Sequence, residues 1–299
     1  MKNKKVIAII LAVVLVVSVG VLAACTKKGG ETEPSTEPSE NNASVAVKVI
    51  DIALSSEEYA FAVNPNDSEL LESANKFLAE IKSNGKFDEI INHYFGDGEP
   101  AMISSAEEDS SKDQLIVITE PGFEPFEYTQ GEYYTGIDME MAQLLADYLN
   151  KELVIKSIDF DAIFSTLNSG GADIGMAGIT VKPDRAKLVN FTDTYYDAAQ
   201  KLIVLGNDTK FDECKTKEDV DAILATFDSS VKIGVQTGTT GQAYVKGDEG
   251  FGFAGLSATD VGFNTGSLAV SAMLNGDVSY VIIDEAPANC IAKAVNAMN

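Results

Sequence analysis

The stretch Gly136-Ile-Asp-Met-Glu-Met-Ala-Gln-Leu-Leu-Ala-Asp-Tyr-Leu149 lies between two short apolar runs, Leu115-Ile-Val-Ile118 and Leu153-Val-Ile155. Met141, Leu144, Leu145 and Tyr148 recur at helical spacing, in phase with Ile137, so the spacing predicts a helix over 138–149 with one apolar face. The flanking runs are short and uncharged, as strands buried on both faces are. Strand, helix, strand is the unit of a parallel sheet. The alternation continues with a short helix over 162–167 opened by Asp161, then strands over 173–177 and 201–204. A helix over 217–224, a strand over 231–235, helices over 241–246 and 267–274, a strand over 280–283 and a helix over 286–297 follow. The reading is an α/β fold with mostly parallel sheets, in which ligands bind beyond the C-terminal ends of the strands.

The preceding segment, 44–95, reads differently. Strands near 45–50 and 59–63 precede helices over 68–81 and 87–94, which Gly85 separates. Two strands do not make an independently stable sheet, so this segment is expected to pack on the later region.

The 299 residues are 45% hydrophobic and 23% charged, a globular composition with room for about two domains. Forty-six acids against 22 bases leave a net charge of −24. Such a surface repels phosphate backbones, so nucleic acid is not an expected partner. The single histidine, His93, excludes a histidine-rich metal site and reads as a partly exposed helix residue. Gly250-Phe-Gly-Phe-Ala-Gly255 matches GxGxxG but lacks a following helix start, and the acids near 107–109 lack EF-hand spacing. No cofactor and no metal are expected. Among the 22 bases only Arg185 is an arginine.

Lys2, Lys4 and Lys5 precede an apolar run over 6–24 ending in Leu22-Ala-Ala-Cys25, the layout of an export signal. The small residues before a cysteine resemble the lipobox of bacterial lipoproteins. That implies removal of 1–24, a lipid on Cys25 and a place on the extracytoplasmic face of the cell membrane. An uncleaved anchor is the alternative, since the run nears the ~20 residues of a membrane span. Residues 25–43, rich in Glu, Ser, Thr and Pro, read as a solvated tether, and 98–112 (GEPAMISSAEEDSSK) reads as a linker. Cys214 and Cys290 remain; outside the cell they could form a disulfide, but their spacing does not decide it.

Several phrases occur in one order: Gly122-Phe-Glu-Pro-Phe-Glu-Tyr128, Gly136-Ile-Asp-Met-Glu140, Phe160-Asp-Ala-Ile163, Ala177-Gly-Ile-Thr-Val-Lys-Pro-Asp-Arg185, Val189-Asn-Phe-Thr-Asp-Thr-Tyr-Tyr196, Ile233-Gly-Val-Gln-Thr-Gly-Thr-Thr240 and Ile282-Ile-Asp-Glu-Ala-Pro287. Together they resemble the polar amino-acid substrate-binding proteins of ABC importers, bacterial extracellular solute-binding proteins of family 3. The resemblance implies a two-lobe type II periplasmic-binding-protein fold with the ligand cleft between lobes. It also implies capture of a free polar amino acid by hinge closure, delivery to an ABC permease with its ATPase, a monomer, and no enzymatic activity. In that family a return strand and two closing helices follow the last helix named here. Val47–Val63 and Leu70–Phe95 resemble those elements but stand at the front, so the chain reads as circularly permuted, with 98–112 joining the family's usual ends. Lobe 1 is then 44–97 with 113–200 and lobe 2 is 201–299, with crossings near Gln200–Val204 and Ile50–Ser56.

A free α-amino acid carries a carboxylate and an ammonium, so a binder needs a fixed cation and a fixed anion. Arg185 supplies the planar fork that a carboxylate accepts bidentately, and the resemblance puts it at the carboxylate position. Asp284, ending an apolar strand, is the expected ammonium partner, or else an acid favouring the next helix's N-terminus. Gly178 and Thr180 offer a carbonyl, an N–H and a hydroxyl to the same head group, or serve ordinary turn chemistry. Thr240 presents its N–H to the carboxylate, or caps its helix. By resemblance alone, Phe123 and Phe160 sandwich the ligand's side chain, Glu120 reaches it and Gln236 faces it from the other lobe. A Glu and a Gln suit a polar or cationic side chain without choosing between them. Nothing marks two carboxylates as a catalytic pair. The competing readings are a dehydratase-type enzyme on this fold, with Glu120 as general acid, and an amino-acid receptor or adhesion module without transport.

Overall fold

The computed structural model describes residues 46–298. The expected signal segment, the tether and Cys25 lie outside the described residues. Among those described, two five-stranded sheets carry the chain. In the first, Gln114–Thr119 lies between Ile174–Gly175 and Glu152–Ser157, parallel to both. Ala62–Val63 and then Asn190–Phe191 extend that sheet antiparallel. In the second, Lys232–Gln236 lies between Thr259–Phe263 and Tyr280–Asp284, again parallel to both. Gln200–Leu205 and then Val47–Ile50 extend it antiparallel.

Helix Ile137–Tyr148 covers the first sheet with Met141, Ala142 and Leu145, which share a core with Leu115, Val117, Leu153 and Ile155. Each of the larger side chains buried there contributes about 1.5–3 kcal/mol. Gly136 opens this helix at φ +128°, where a Cβ would stand 2.1 Å from the Phe126 carbonyl oxygen. Local chemistry sets the other helix starts. Asp67 accepts from Leu70 N at 2.8 Å before helix Ser68–Ser83, and Thr216 with Asp219 forms a capping box before Lys217–Leu224. Such caps are worth about 1 kcal/mol each.

The N-terminal segment joins both sheets. Val47–Ile50 pairs with Gln200–Leu205 in the second, Ala62–Val63 enters the first, and between them Glu57–Tyr59 pairs antiparallel with Tyr196–Ala198. The chain therefore crosses between sheets twice, side by side. This corrects two expectations. Residues 47–50 do not belong to the first lobe, because the outer edge of strand Gln200–Leu205 takes them as its ladder partner. Gln200–Val204 is not a crossing but a buried strand within the second sheet; the crossing is the ribbon at 57–59 and 196–198.

Helices Ser68–Ser83 and Lys86–Phe95 bury Leu70, Phe77, Leu78, Ile81 and Ile90 in the core around Ile137 and Met141. The segment 98–112 is docked rather than free. Ile103 exchanges backbone hydrogen bonds with Tyr134 at 2.7 and 2.9 Å, and Ala106 N donates to Leu153 O along the edge strand Glu152–Ser157. His93 anchors its start. Its Nδ1 lies 2.9 Å from a Glu140 carboxylate that also accepts from Tyr94 OH and Ala101 N.

The periodicity missed the meander Gly122–Phe123, Glu127–Gln130 and Tyr133–Thr135 and the edge strand Thr259–Phe263. The expected strand over 173–177 shrinks to Ile174–Gly175, because the chain beyond it turns out of the sheet toward the cleft.

Candidate functional site

Strands of both sheets end at one cleft. From the first sheet, Gln114–Thr119 delivers Glu120 and Ile174–Gly175 delivers Gly178 and Thr180. From the second, Lys232–Gln236 ends in Gln236 and Tyr280–Asp284 ends in Asp284. The nine expected cleft residues, Glu120, Phe123, Phe160, Gly178, Thr180, Arg185, Gln236, Thr240 and Asp284, line one cavity.

Arg185 opens a single 3-10 turn and is 4% exposed. One guanidinium nitrogen donates to Thr180 O at 2.8 Å and another to Gly238 O at 2.9 Å, tying the two lobes together. The guanidinium lies 5.3 Å from the Phe160 ring centre and 4.8 Å from that of Phe164, geometry in which the ring faces attract a cation. Burial pulls its pKa down to about 10, which leaves it charged at neutral pH.

Gly178 adopts φ +51°, and a Cβ there would meet the Phe123 ring at 2.8 Å, so only glycine allows that ring its place. Its N–H donates to Asp138 at 2.9 Å, and Tyr195 OH holds the other oxygen at 2.7 Å. Burial pushes Asp138 up to about 7. Thr240 is the first residue of helix Thr240–Lys246; its hydroxyl oxygen accepts from Gln200 Nε2 at 3.0 Å and lies 3.5 Å from that of Thr180.

The carboxylates dominate the remainder. Asp284 is 4% exposed and accepts from Tyr59 OH at 2.6 Å; burial and then the charge of Glu57 push it up to about 7. Glu120 accepts from Gln236 Nε2 at 2.7 Å across the cleft, and burial raises it to about 7 despite that bond.

Two lining residues escaped the sequence reading, Glu127 and Thr239. Glu127 is 1% exposed, and neither carboxylate oxygen has a hydrogen-bond partner. Burial, then the charges of Asp138, Glu120 and Asp284, hold its pKa well above the usual carboxylate range. Its signal was present: Glu127 is the register partner of Phe123 in the meander, but that hairpin was not foreseen. Glu57 and Tyr59 also stand behind the cavity, on a strand whose start the pattern did not reveal.

Cys214 and Cys290 are both free thiols, so the conditional disulfide between them is not formed. Gly250–Gly255 runs through a 3-10 turn toward strand Thr259–Phe263, not into a helix. Among the described residues no group of three or more His, Cys, Asp or Glu could hold a metal ion, and no helix is long and apolar enough to cross a membrane.

Residues 115–248 match the model of the bacterial extracellular solute-binding proteins, family 3. The chain is 34% identical over 100 residues to the arginine-binding extracellular protein ArtP of Bacillus subtilis (strain 168), which covers 33% of this chain and 39% of that relative. It thus spans less than half of that protein's length. Among solved structures, the ancestral amino acid-binding protein AncCDT-1, a precursor of cyclohexadienyl dehydratase, superposes with a TM-score of 0.51 at 29% identity, covering 61% of this chain and 74% of that one. The P235GK mutant of ArgBP from T. maritima also gives 0.51, at 26% identity over 73% of this chain and 76% of that one. The two-lobe α/β architecture and the family motifs in their order agree with that match, and residues 115–248 place this part of the chain in the bacterial extracellular solute-binding proteins of family 3.

Proposed function

We propose that this protein captures a cationic amino acid, of the arginine type, and serves as the substrate-binding component of an ABC importer. Glu127 carries the choice of ligand. A buried carboxylate with both oxygens unpartnered costs free energy in the unliganded protein. A guanidinium or ammonium in the same cavity supplies the missing charge and donors. Glu120 and Asp284 add to this negative lining, against one lining cation, Arg185. Arg185 then takes the ligand's carboxylate, Asp284 its ammonium, and Phe123 with Phe160 the aliphatic stem. Relatives named for arginine agree with this reading. Hinge motion at the paired crossings would admit and enclose the ligand, which stabilises the closed form by bridging the lobes.

The permutation belongs to the same proposal. The entry of 47–63 into both sheets, and the run of 98–112 from the second helix to strand Gln114–Thr119 along the edge strand Glu152–Ser157, support it. The leader, read from sequence alone, supports a lipid on Cys25 and an extracytoplasmic place at the membrane.

The experiment is thermal unfolding of the purified chain with L-arginine, L-lysine, L-ornithine, L-histidine, L-glutamine and L-glutamate in turn. A ligand at ~100 times its dissociation constant adds ~2.7 kcal/mol. A shift with one or more cationic amino acids, weaker with glutamine and absent with glutamate, is expected. No shift with any of them overturns the reading. Consumption of a bound ligand in the same samples would favour the dehydratase-type alternative, for which the raised Glu120 and Glu127 are the available acids.

A further inference from the structure

Strand Glu57–Tyr59 lies where the chain crosses between the sheets. Its alternation buries Glu57 and Tyr59 on one face and exposes Glu58 on the other. The Tyr59 backbone is held by the first lobe: its carbonyl accepts from Tyr195 N at 2.8 Å, and the residue bridges to Thr180. Its hydroxyl reaches the second lobe, donating to Asp284 at 2.6 Å. The ring is pinned edge-on against Phe126 at 5.1 Å and stacked on Tyr196 at 5.8 Å, with no exposure to solvent. Rotation of the phenol away from Asp284 would therefore disrupt packing on two sides.

Glu57 does the same for a neighbour. Its carboxylate accepts from Thr180 Oγ1 at 2.8 Å and from Ser55 Oγ at 2.5 Å, and Ser55 in turn accepts from Gln200 N at 2.9 Å. A hydroxyl has a single proton to give, so the bond to Glu57 commits that of Thr180 and leaves its lone pairs for a donor. Two groups that face the cavity are thus oriented from behind by one strand, at the point where the lobes are joined.

We propose that Tyr59 and Glu57 are positioning residues for the ammonium end of the ligand, presetting the Asp284 carboxylate and the Thr180 hydroxyl through the crossing strand. This rests on the reading of the cavity as an amino-acid site. Tyr59 touches no ligand; it acts by holding Asp284. The ribbon that must flex as the lobes part also carries the residues that orient the head-group partners, so the ammonium site is complete only when the ribbon is in the conformation seen here.

The test compares L-arginine with 5-guanidinopentanoate, the same molecule without its α-amino group, by calorimetry on the full chain. Tyr59→Phe keeps the ring and removes the hydroxyl. It is expected to weaken L-arginine binding roughly ten- to hundredfold, the range for a lost hydrogen bond to a charged group, while binding of the des-amino acid changes little. Tyr59→Phe added to Asp284→Asn is expected to cause no further loss, because the partner it orients is already gone. Glu57→Gln, which keeps an acceptor for Thr180, is expected to bind L-arginine better than Glu57→Ala. Equal losses for both ligands, or additive losses in the double variant, would overturn the proposal. An unaltered Tyr59→Phe protein beside a wild type that binds L-arginine overturns this inference alone. A wild type that does not bind L-arginine overturns the functional reading, and this inference with it.

Discussion

Gln236 Nε2 donates to Glu120 Oε2 over 2.7 Å, so the C-terminal end of a strand in one lobe is hydrogen-bonded to the C-terminal end of a strand in the other. The amide also donates to Asn264 O at 3.0 Å, while its own carbonyl oxygen is buried without a partner. Gln236→Ala removes a donor that helps keep Glu120 ionised. Its affinity for L-arginine is expected to fall by about 1–2 kcal/mol, read by calorimetry at pH 7. Unchanged affinity would mean that the contact is incidental to binding.

Arg185→Lys is expected to bind nearly as poorly as Arg185→Ala, at least a hundredfold below wild type. Lysine keeps the charge but cannot span Thr180 O and Gly238 O with a planar fork, nor lie flat over Phe160 and Phe164. A near-normal lysine variant, measured by the same titration, would show that charge alone suffices.

Glu127→Gln separates stability from function. It removes a buried acid with no partner, so the unliganded melting temperature is expected to hold or rise. L-arginine binding is expected to drop about tenfold or more, with L-glutamine affected less. Loss of stability together with equal losses for both ligands would contradict the assigned role.

The unliganded protein should lose stability as pH rises from 5 to 7.5. Glu120, Asp138 and Asp284 are each pushed up to about 7, from ordinary values of 4.5, 3.8 and 3.8. Between those limits the folded state holds more protons than the unfolded one, so deprotonation favours unfolding. Saturating L-arginine should flatten the slope by pairing with the ionised acids. Melting curves that are flat or rising over this range without ligand would refute the prediction.

Lys182 and Asp248 form an ion pair at 2.7 Å between the lobes, outside the cavity, with the lysine side chain 6% exposed. Lys182→Ala is expected to weaken every ligand alike by about 1–2 kcal/mol, chiefly through faster release. Stopped-flow dissociation reads this directly, and a ligand-selective effect would place Lys182 in the recognition site instead.

The sequence by itself determined the α/β alternation, because strands buried on both faces and one-faced helices leave periodicities that survive without neighbours. The helix over 217–224 and the helix ending at 274 match to the residue at those bounds. It also named nine residues that line one cavity, since motif order and a lone arginine are written in one dimension. Tertiary structure decided the rest. Val47–Ile50 lies in the second sheet because a strand edge there accepts it, a partner no local pattern reveals. Glu127 reads as one acid among 46 until the Phe123–Glu127 pairing buries it. Tyr59 became an anchor for Asp284 only through a contact spanning 225 residues, set by how two crossings lie side by side rather than by either stretch alone.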